Sequence, residues 1–199
     1  MAANGVDRPS RWRRTTSIEM IISGAIGLIA SFVLSIEAWK LAANSKATFS
    51  CDVNTVLSCS TVASTWQSRI LGFPNAFLGI LFEAVVLSIS VATLAGVKFP
   101  RWYTLATEAL YTIAILFAWW LFIQSFFVIR ALCPWCLLIT ITTTLVWAGL
   151  TRINIHDGVL TKRKGVQDFV NYNTDWYVTG LVILIILAMI AIELIPSFL

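Results

Sequence analysis

Charge is what this sequence has least of. Only 12% of its 199 residues are Asp, Glu, Lys or Arg, against about 25% in a soluble domain, while 58% are hydrophobic and the mean hydropathy is +0.83. That shortage excludes an ordinary water-soluble domain. Histidine is scarcer still, with His156 alone in the chain. There is no internal repeat, no low-complexity tract and no polar domain at either end. The net charge of +4 is not gathered into the basic patch that a nucleic acid would need, so no nucleic-acid partner is expected.

What is abundant is apolar sequence in long runs. A bilayer-spanning helix needs roughly 20 apolar residues at 1.5 Å rise each, and five runs qualify: residues 18–39, 73–97, 102–129, 132–150 and 176–194. The first exceeds the ~7–15 residues of a cleaved signal core and reads as a retained anchor. Thr16-Ser-Ile-Glu19 has capping-box spacing, which predicts that this helix starts near Ser17. Lys and Arg mark the cytoplasmic side of a membrane protein. Arg8, Arg11, Arg13, Arg14, Lys98, Arg101, Arg152, Lys162, Arg163 and Lys164 fall on one side of the five spans, and only Lys40, Lys46, Arg69 and Arg130 on the other. The expected topology is N-terminus in, C-terminus out, with a basic tail at 1–16, a bundle at 17–150, a featureless basic inner loop at 151–175 and the last span within 176–199. His156 reads as a surface residue of that inner loop.

The long outer segment, 41–72, carries Cys51 and Cys59. Val62, Trp66 and Ile70 recur at four-residue steps, predicting a short helix lying on the membrane surface, ended by Gly72 and Pro74. The other two cysteines form Cys133-Pro-Trp-Cys136, where span four opens at the same outer edge. All four thiols thus face the compartment in which disulfides persist. A four-cysteine zinc site and static staples compete with redox exchange. An eight-residue offset is loose for a zinc knuckle, and a bridge inside Cys-Pro-Trp-Cys would close too small a loop to add much stability. Pro134 suits a first helical turn, and the partial positive charge at a helix N-terminus favours a thiolate, the attacking species in exchange. The favoured reading is a relay between an exposed, movable loop pair and an activated dithiol at the hydrocarbon edge.

At this point the sequence resembles the vitamin K epoxide reductase family, specifically its bacterial homologues. The resemblance covers roughly residues 18–150. It rests on Cys51, Cys59, Val62-Ala-Ser-Thr-Trp66, Gly72-Phe-Pro-Asn-Ala-Phe-Leu-Gly79 and Cys133-Pro-Trp-Cys136, in family order. It implies an all-α integral membrane protein: four helices around a quinone (menaquinone or ubiquinone) capped by the outer loop, with an accessory fifth helix. It implies a bacterial plasma-membrane thiol:quinone oxidoreductase with its active site on the extracytoplasmic face. Cys51 resembles the residue that meets a DsbA-like, thioredoxin-fold partner, Cys59 the one that passes electrons to Cys133, and Cys136 the thiol beside the quinone. Ser64 matches a serine near the cap, and Asn75 the asparagine that hydrogen-bonds a quinone oxygen.

Plainer readings stand beside these. Ser64 is a polar residue on a wet face, Asn75 a helix cap, and Phe73, Phe77, Trp66 and Trp135 either a wall for a planar ring or ordinary interface aromatics. Glu83 and Glu108 lie within spans, where an ionisable group is a functional candidate. Glu83 is the one expected near the quinone as a proton donor, Glu108 is expected to be a polar interhelix contact or to face water, and Gln124 is a lesser candidate. The tyrosine that vertebrate members carry shortly after the second CxxC cysteine is replaced by Leu137, Leu138, Ile139 and Thr140, which argues against epoxide chemistry. The chain stops just past span five, so the reductant is expected to be a separate protein. A DsbB-type oxidase is the nearest alternative, with the cysteine motifs in the opposite order. A non-enzymatic scaffold or metal-binding protein is the other.

Overall fold

The computed structural model describes residues 9–44 and 47–198. Arg8, Lys46 and the first eight residues of the basic tail lie outside them. Seven α-helices follow in order: α1 (Arg11–Ala43), α2 (Cys59–Ala63), α3 (Ala76–Leu94), α4 (Arg101–Ile123), α5 (Pro134–His156), α6 (Lys164–Asn171) and α7 (Thr174–Phe198). Five of them, α1, α3, α4, α5 and α7, are long and apolar enough to cross a membrane. With backbone groups bonded inside each helix, this is the only open arrangement hydrocarbon tolerates.

Helices α1, α3, α4 and α5 form a bundle in which α1 packs on α3 and α5, and α5 also packs on α4. The buried face of α1 is almost all small: Ser23, Gly24, Gly27, Ala30, Ser31, Ser35 and Ala38. Small side chains let helix backbones approach where lipid offers no hydrophobic drive between helices. Gly27 is a position where nothing larger fits, since an added Cβ would lie 2.6 Å from the Glu83 carboxylate and 2.9 Å from the Thr142 hydroxyl. Met20, Val86, Tyr111, Val146, Leu150 and Ile153 fill one half of the core.

Three expectations are corrected. Helix α1 begins at Arg11 with Ser10 in the cap position, so Thr16, Ser17 and Glu19 lie inside the helix and make no capping box; Thr16 and Ser17 are buried by packing. The inner segment is not featureless: α5 runs on to His156 and α6 follows, because Val166 and Val170 share a face and Val170 seats fully in the core. The surface helix breaks after Ala63 into a 3₁₀ turn, Trp66–Arg69. Hydroxyls of Ser64, Thr65 and Ser68 bond back to the carbonyls of Thr61, Val62 and Ala63, competing with helix continuation. Trp66 and Ile70 are left exposed while Val62 turns inward. Gly72, at φ 83°, ends the turn as expected.

Helix α7 is the loosest member. Ile186 is its fully buried anchor, packed with Phe122, Leu132 and Leu137. At its other end buried Arg152 of α5 grips both carboxylate oxygens of Asp175 at 2.6 Å and the Asn173 side-chain oxygen at 2.6 Å. Removing one member of a buried ion pair costs about 3–5 kcal/mol. Arg152→Ala is therefore expected to lower the thermal unfolding midpoint in detergent and to open the 157–173 segment to protease first. Unchanged melting and digestion would show that α7 docks without this clamp.

Candidate functional site

The loop that carries Cys51 and Cys59 owes its shape to two side chains. Asn54 accepts the backbone N–H groups of Val56 and Leu57 at 3.0 and 2.7 Å, folding a tight turn. Asp52 accepts the Phe49 N–H at 2.7 Å, the Ser60 N–H at 2.9 Å and the Ser58 hydroxyl at 3.0 Å. Burial pushes the Asp52 carboxyl up, but these hydrogen bonds from Phe49, Ser60 and Ser58 outweigh it and hold the group below the usual carboxylate range. The Ser58 hydroxyl in turn accepts the Thr61 N–H at 3.2 Å and caps α2, which starts at Cys59.

The same loop is tied to the approach to α5. Leu57 and Leu132 pair as a parallel bridge: the Leu132 N–H donates to the Val56 carbonyl at 2.7 Å and the Ser58 N–H to the Leu132 carbonyl at 3.0 Å. The chain reaches Leu132 through a widened helical turn, Gln124–Ile129, and Arg130 in the left-handed region at φ 55°. The Ser125 hydroxyl fastens this bend by donating to the Ala131 carbonyl. Cys133 follows Leu132 directly, and Cys59 lies two residues after Leu57.

The four cysteines consequently meet in one cluster with Phe49, covered by Leu34, Leu41, Val62 and Trp135. Cys51 and Cys59 are bonded to each other, with Cα atoms 5.7 Å apart, whereas Cys133 and Cys136 are free thiols. The expectation that the loop pair is the more exposed one is corrected: Cys51 is 7% and Cys59 1% accessible, because Phe49 and its neighbours close over them. Cys133 occupies the cap position of α5, its sulfur accepting the Cys136 N–H at 3.3 Å, with Pro134 in the first turn. The Cys136 N–H at its sulfur and the positive end of α5 favour the thiolate form at Cys133.

Beneath the cluster lies a cavity of about 170 Å³ enclosed by α1, α3, α4 and α5 and roofed by α2 and the 3₁₀ turn. A dry cavity of ~150 Å³ accepts a six-membered ring. Cys59, Cys133 and Cys136 border it, whereas Cys51 does not. Its walls are mostly apolar, with Phe82, Phe117, Leu121, Phe122 and Leu137 prominent. Asn75 and Glu83 enter it from α3 and Tyr111 from α4. Asn75 makes no cap bond; its amide donates to the Gln67 carbonyl at 2.7 Å, and its buried carbonyl oxygen has no partner among the described residues. Glu83, 2% accessible, accepts the Tyr111 hydroxyl at 3.2 Å and is also bonded by Thr143. An apolar slot of ring size with thiols at its rim fits a quinone head group, and the orphaned Asn75 oxygen is an acceptor for the O–H of the reduced ring.

The remaining sequence candidates lie elsewhere. Ser64 is exposed and bonded to Thr61. Phe73 and Phe77 stack on one another at 6.4 Å, partly exposed and outside the cavity wall. Trp135 covers the cysteines, and Gln124 is part of the widened turn. Glu108 accepts Thr151 at 2.6 Å and Asn154 at 2.8 Å, a contact between α4 and α5. His156 is half-buried, stacked on Trp12 at 3.9 Å. Sequence reading missed Asp52, Tyr111 and the α4 wall. The α4 residues Tyr111, Ala114, Ala118 and Leu121 recur at helical steps, but in a helix apolar on every face that stripe carries no contrast.

A carboxyl whose folded pKa is depressed stabilises the fold above its ordinary value, here 3.8, and that contribution is lost as pH falls through the lower folded value. Hydrogen exchange of the Ser60 and Thr61 amides is therefore expected to speed up below about pH 4 in the native protein. In Asp52→Asn the same amides should exchange faster at neutral pH and show little pH dependence beyond the intrinsic rate. Identical profiles would remove Asp52 from the loop's architecture.

Residues 18–150 match the model of the vitamin K epoxide reductase family. No curated protein matches the chain. The match covers more than half of the chain, including most of all four bundle helices and both cysteine pairs, so this multi-pass membrane protein belongs to the vitamin K epoxide reductase family, a family of membrane thiol-disulfide oxidoreductases.

Proposed function

We propose that the protein is a thiol:quinone oxidase that takes two electrons from an extracytoplasmic thioredoxin-fold dithiol, of the DsbA-like kind, and so supports disulfide formation in exported proteins. The observation that carries this reading is the order of the sulfurs: Cys51 stands off the cavity, and Cys59, Cys133 and Cys136 border it. The placement of ten of the fourteen basic residues on the opposite side supports an outward-facing site. A bacterial plasma membrane is the proposed location.

A partner thiolate attacks Cys51, forming a mixed disulfide and releasing Cys59 as a thiolate; the partner's second thiol then attacks its own half of that bond and frees Cys51. Because Cys51 is buried, this step requires the loop to lift, with the Asp52 and Asn54 turns as its hinges. Cys59 attacks Cys133 of an oxidised Cys133–Cys136 bond and expels the Cys136 thiolate, and Cys51 then closes on Cys59 to free Cys133. Both electrons now rest on the CxxC pair, the distribution found in the structure. A bound quinone, menaquinone or ubiquinone, supplies an acceptor for two electrons and two protons. Asn75, with one amide hydrogen on Gln67, keeps the other for a ring oxygen; Glu83 holds a proton at the cavity wall; the apolar wall excludes water.

Cys136→Ser is expected to abolish quinone-dependent oxidation of a dithiol partner while leaving the Cys51–Cys59 bond reducible by that partner. Full oxidase activity in this variant would remove the mechanism. Asn75→Ala, which deletes a hydrogen bond worth about 0.5–1.5 kcal/mol, should raise the KM for quinone roughly threefold to tenfold with the thiol steps intact. An unchanged KM would take Asn75 out of the quinone site.

A further inference from the structure

Four glutamates are buried or half-buried inside the bundle helices, and two of them have plain structural employment. Glu108 is bonded on both oxygens by Thr151 and Asn154, and Glu37 meets Lys40 through one oxygen, its other being buried without a partner among the described residues and bordering neither cavity. Glu83 and Glu19 differ, because each borders a cavity. Glu83 faces the one below the cysteines. Glu19 borders a second cavity of about 290 Å³ at the opposite end of the bundle, shared with Thr16, Arg152 and Asn173. There one Glu19 oxygen accepts the Ser23 hydroxyl at 3.0 Å, while the other and the Arg152 Nε are buried without a partner among the described residues. Trp12 and Trp176 give this cavity much of its wall, but the unpaired Glu19 oxygen and Arg152 Nε supply an acceptor and a donor to hold water there, at ~30 Å³ per molecule.

The two carboxyls are linked along α1. Glu19, Ser23 and Gly27 follow one another at four-residue steps on one face, and the Glu83 carboxylate lies against Gly27, where a side chain would otherwise be. Ser23 sits one helical turn, about 5–6 Å along the axis, from Gly27, against which the Glu83 carboxylate packs. One water or one carboxyl rotation spans that distance. Tyr111, which donates to Glu83, lies in the field of both carboxylates. Tyr111 could be satisfied by a neutral acceptor, and a carboxylate inside a membrane is costly, so bonding Tyr111 does not explain Glu83.

Resting on the redox reading above, we propose that Glu19, Ser23 and Glu83 form a proton path from the end opposite the cysteines to the redox cavity, so that thiol oxidation moves charge across the membrane. Oxidising a dithiol to a disulfide releases two protons and two electrons at the cysteine end. The electrons pass through Cys133 and Cys136. The two protons that accompany them to the quinone, forming the quinol, enter from the second cavity by way of Glu19 and Glu83, and each carboxyl is re-protonated from that side.

The test uses the full chain, sealed in quinone-containing vesicles with the cysteine end outward, a membrane-impermeant dithiol protein outside and a pH dye trapped inside. The interior should turn alkaline by two protons per dithiol oxidised, and Glu19→Gln should remove that signal. A second reading needs no quinone: the infrared carboxyl band that Glu83→Gln removes should shift in heavy water, and its hydrogen–deuterium exchange should slow by roughly 100-fold in Glu19→Gln and in Ser23→Ala. Turnover with proton uptake from the cysteine side, or exchange as fast in those variants as in the native protein, overturns the path alone. Absence of any dithiol oxidation by the native protein overturns the redox reading, and the path with it.

Discussion

The two hydrogen bonds that join Val56 and Ser58 to Leu132 carry more of the site than their number suggests. They bind a loop that follows α1 to a segment more than seventy residues later, and so bring Cys59 and Cys133 into one packed cluster. The Asp52 and Asn54 turns shape one side of that contact; the widened turn, Arg130 and Ser125 shape the other. A backbone contact of two bonds, each worth about 1 kcal/mol net, is rigid enough to align sulfurs and weak enough to open. The proposed oxidase, whose loop would lift to admit a partner, needs both properties.

The bilayer imposes a second constraint. Within it, polar groups persist where they are bonded or where they face a cavity. Glu108 satisfies the first condition on both oxygens and Glu37 on one, through Lys40; Glu83 and Glu19 satisfy the second. The small face of α1 makes that distinction possible, since Gly27 leaves room for a carboxyl where a larger residue would seal the bundle. Helix α7 stands apart from this core, attached by Ile186 and by the Arg152 clamp.

Much of this was legible in the sequence. Hydropathy alone marks the five spans, since twenty apolar residues in a row have few other uses. The cysteine spacing marks the redox centre, and Asn75 and Glu83 stand out as polar residues at a span's start and interior. The rest depended on contacts that no local pattern encodes. Thr16-Ser-Ile-Glu19 mimics a capping box, but packing against α5 and α3 extends α1 past it. The four-residue stripe of Val62, Trp66 and Ile70 was broken by hydroxyls that prefer their own backbone. Asp52 looks like any loop acid until its three donors are seen, and the α4 wall is masked by apolar residues on every side of that helix.

The central claim is that Cys59 and Cys133 exchange bonds directly. In the double variant Cys51→Ser, Cys136→Ser each keeps a lone thiol, and mass spectrometry of the digested protein reads their fate after mild oxidation. A Cys59–Cys133 crosslink within single chains, formed in near-quantitative yield, is what the account requires. Two thiols that stay free, or link only between separate chains, would contradict it.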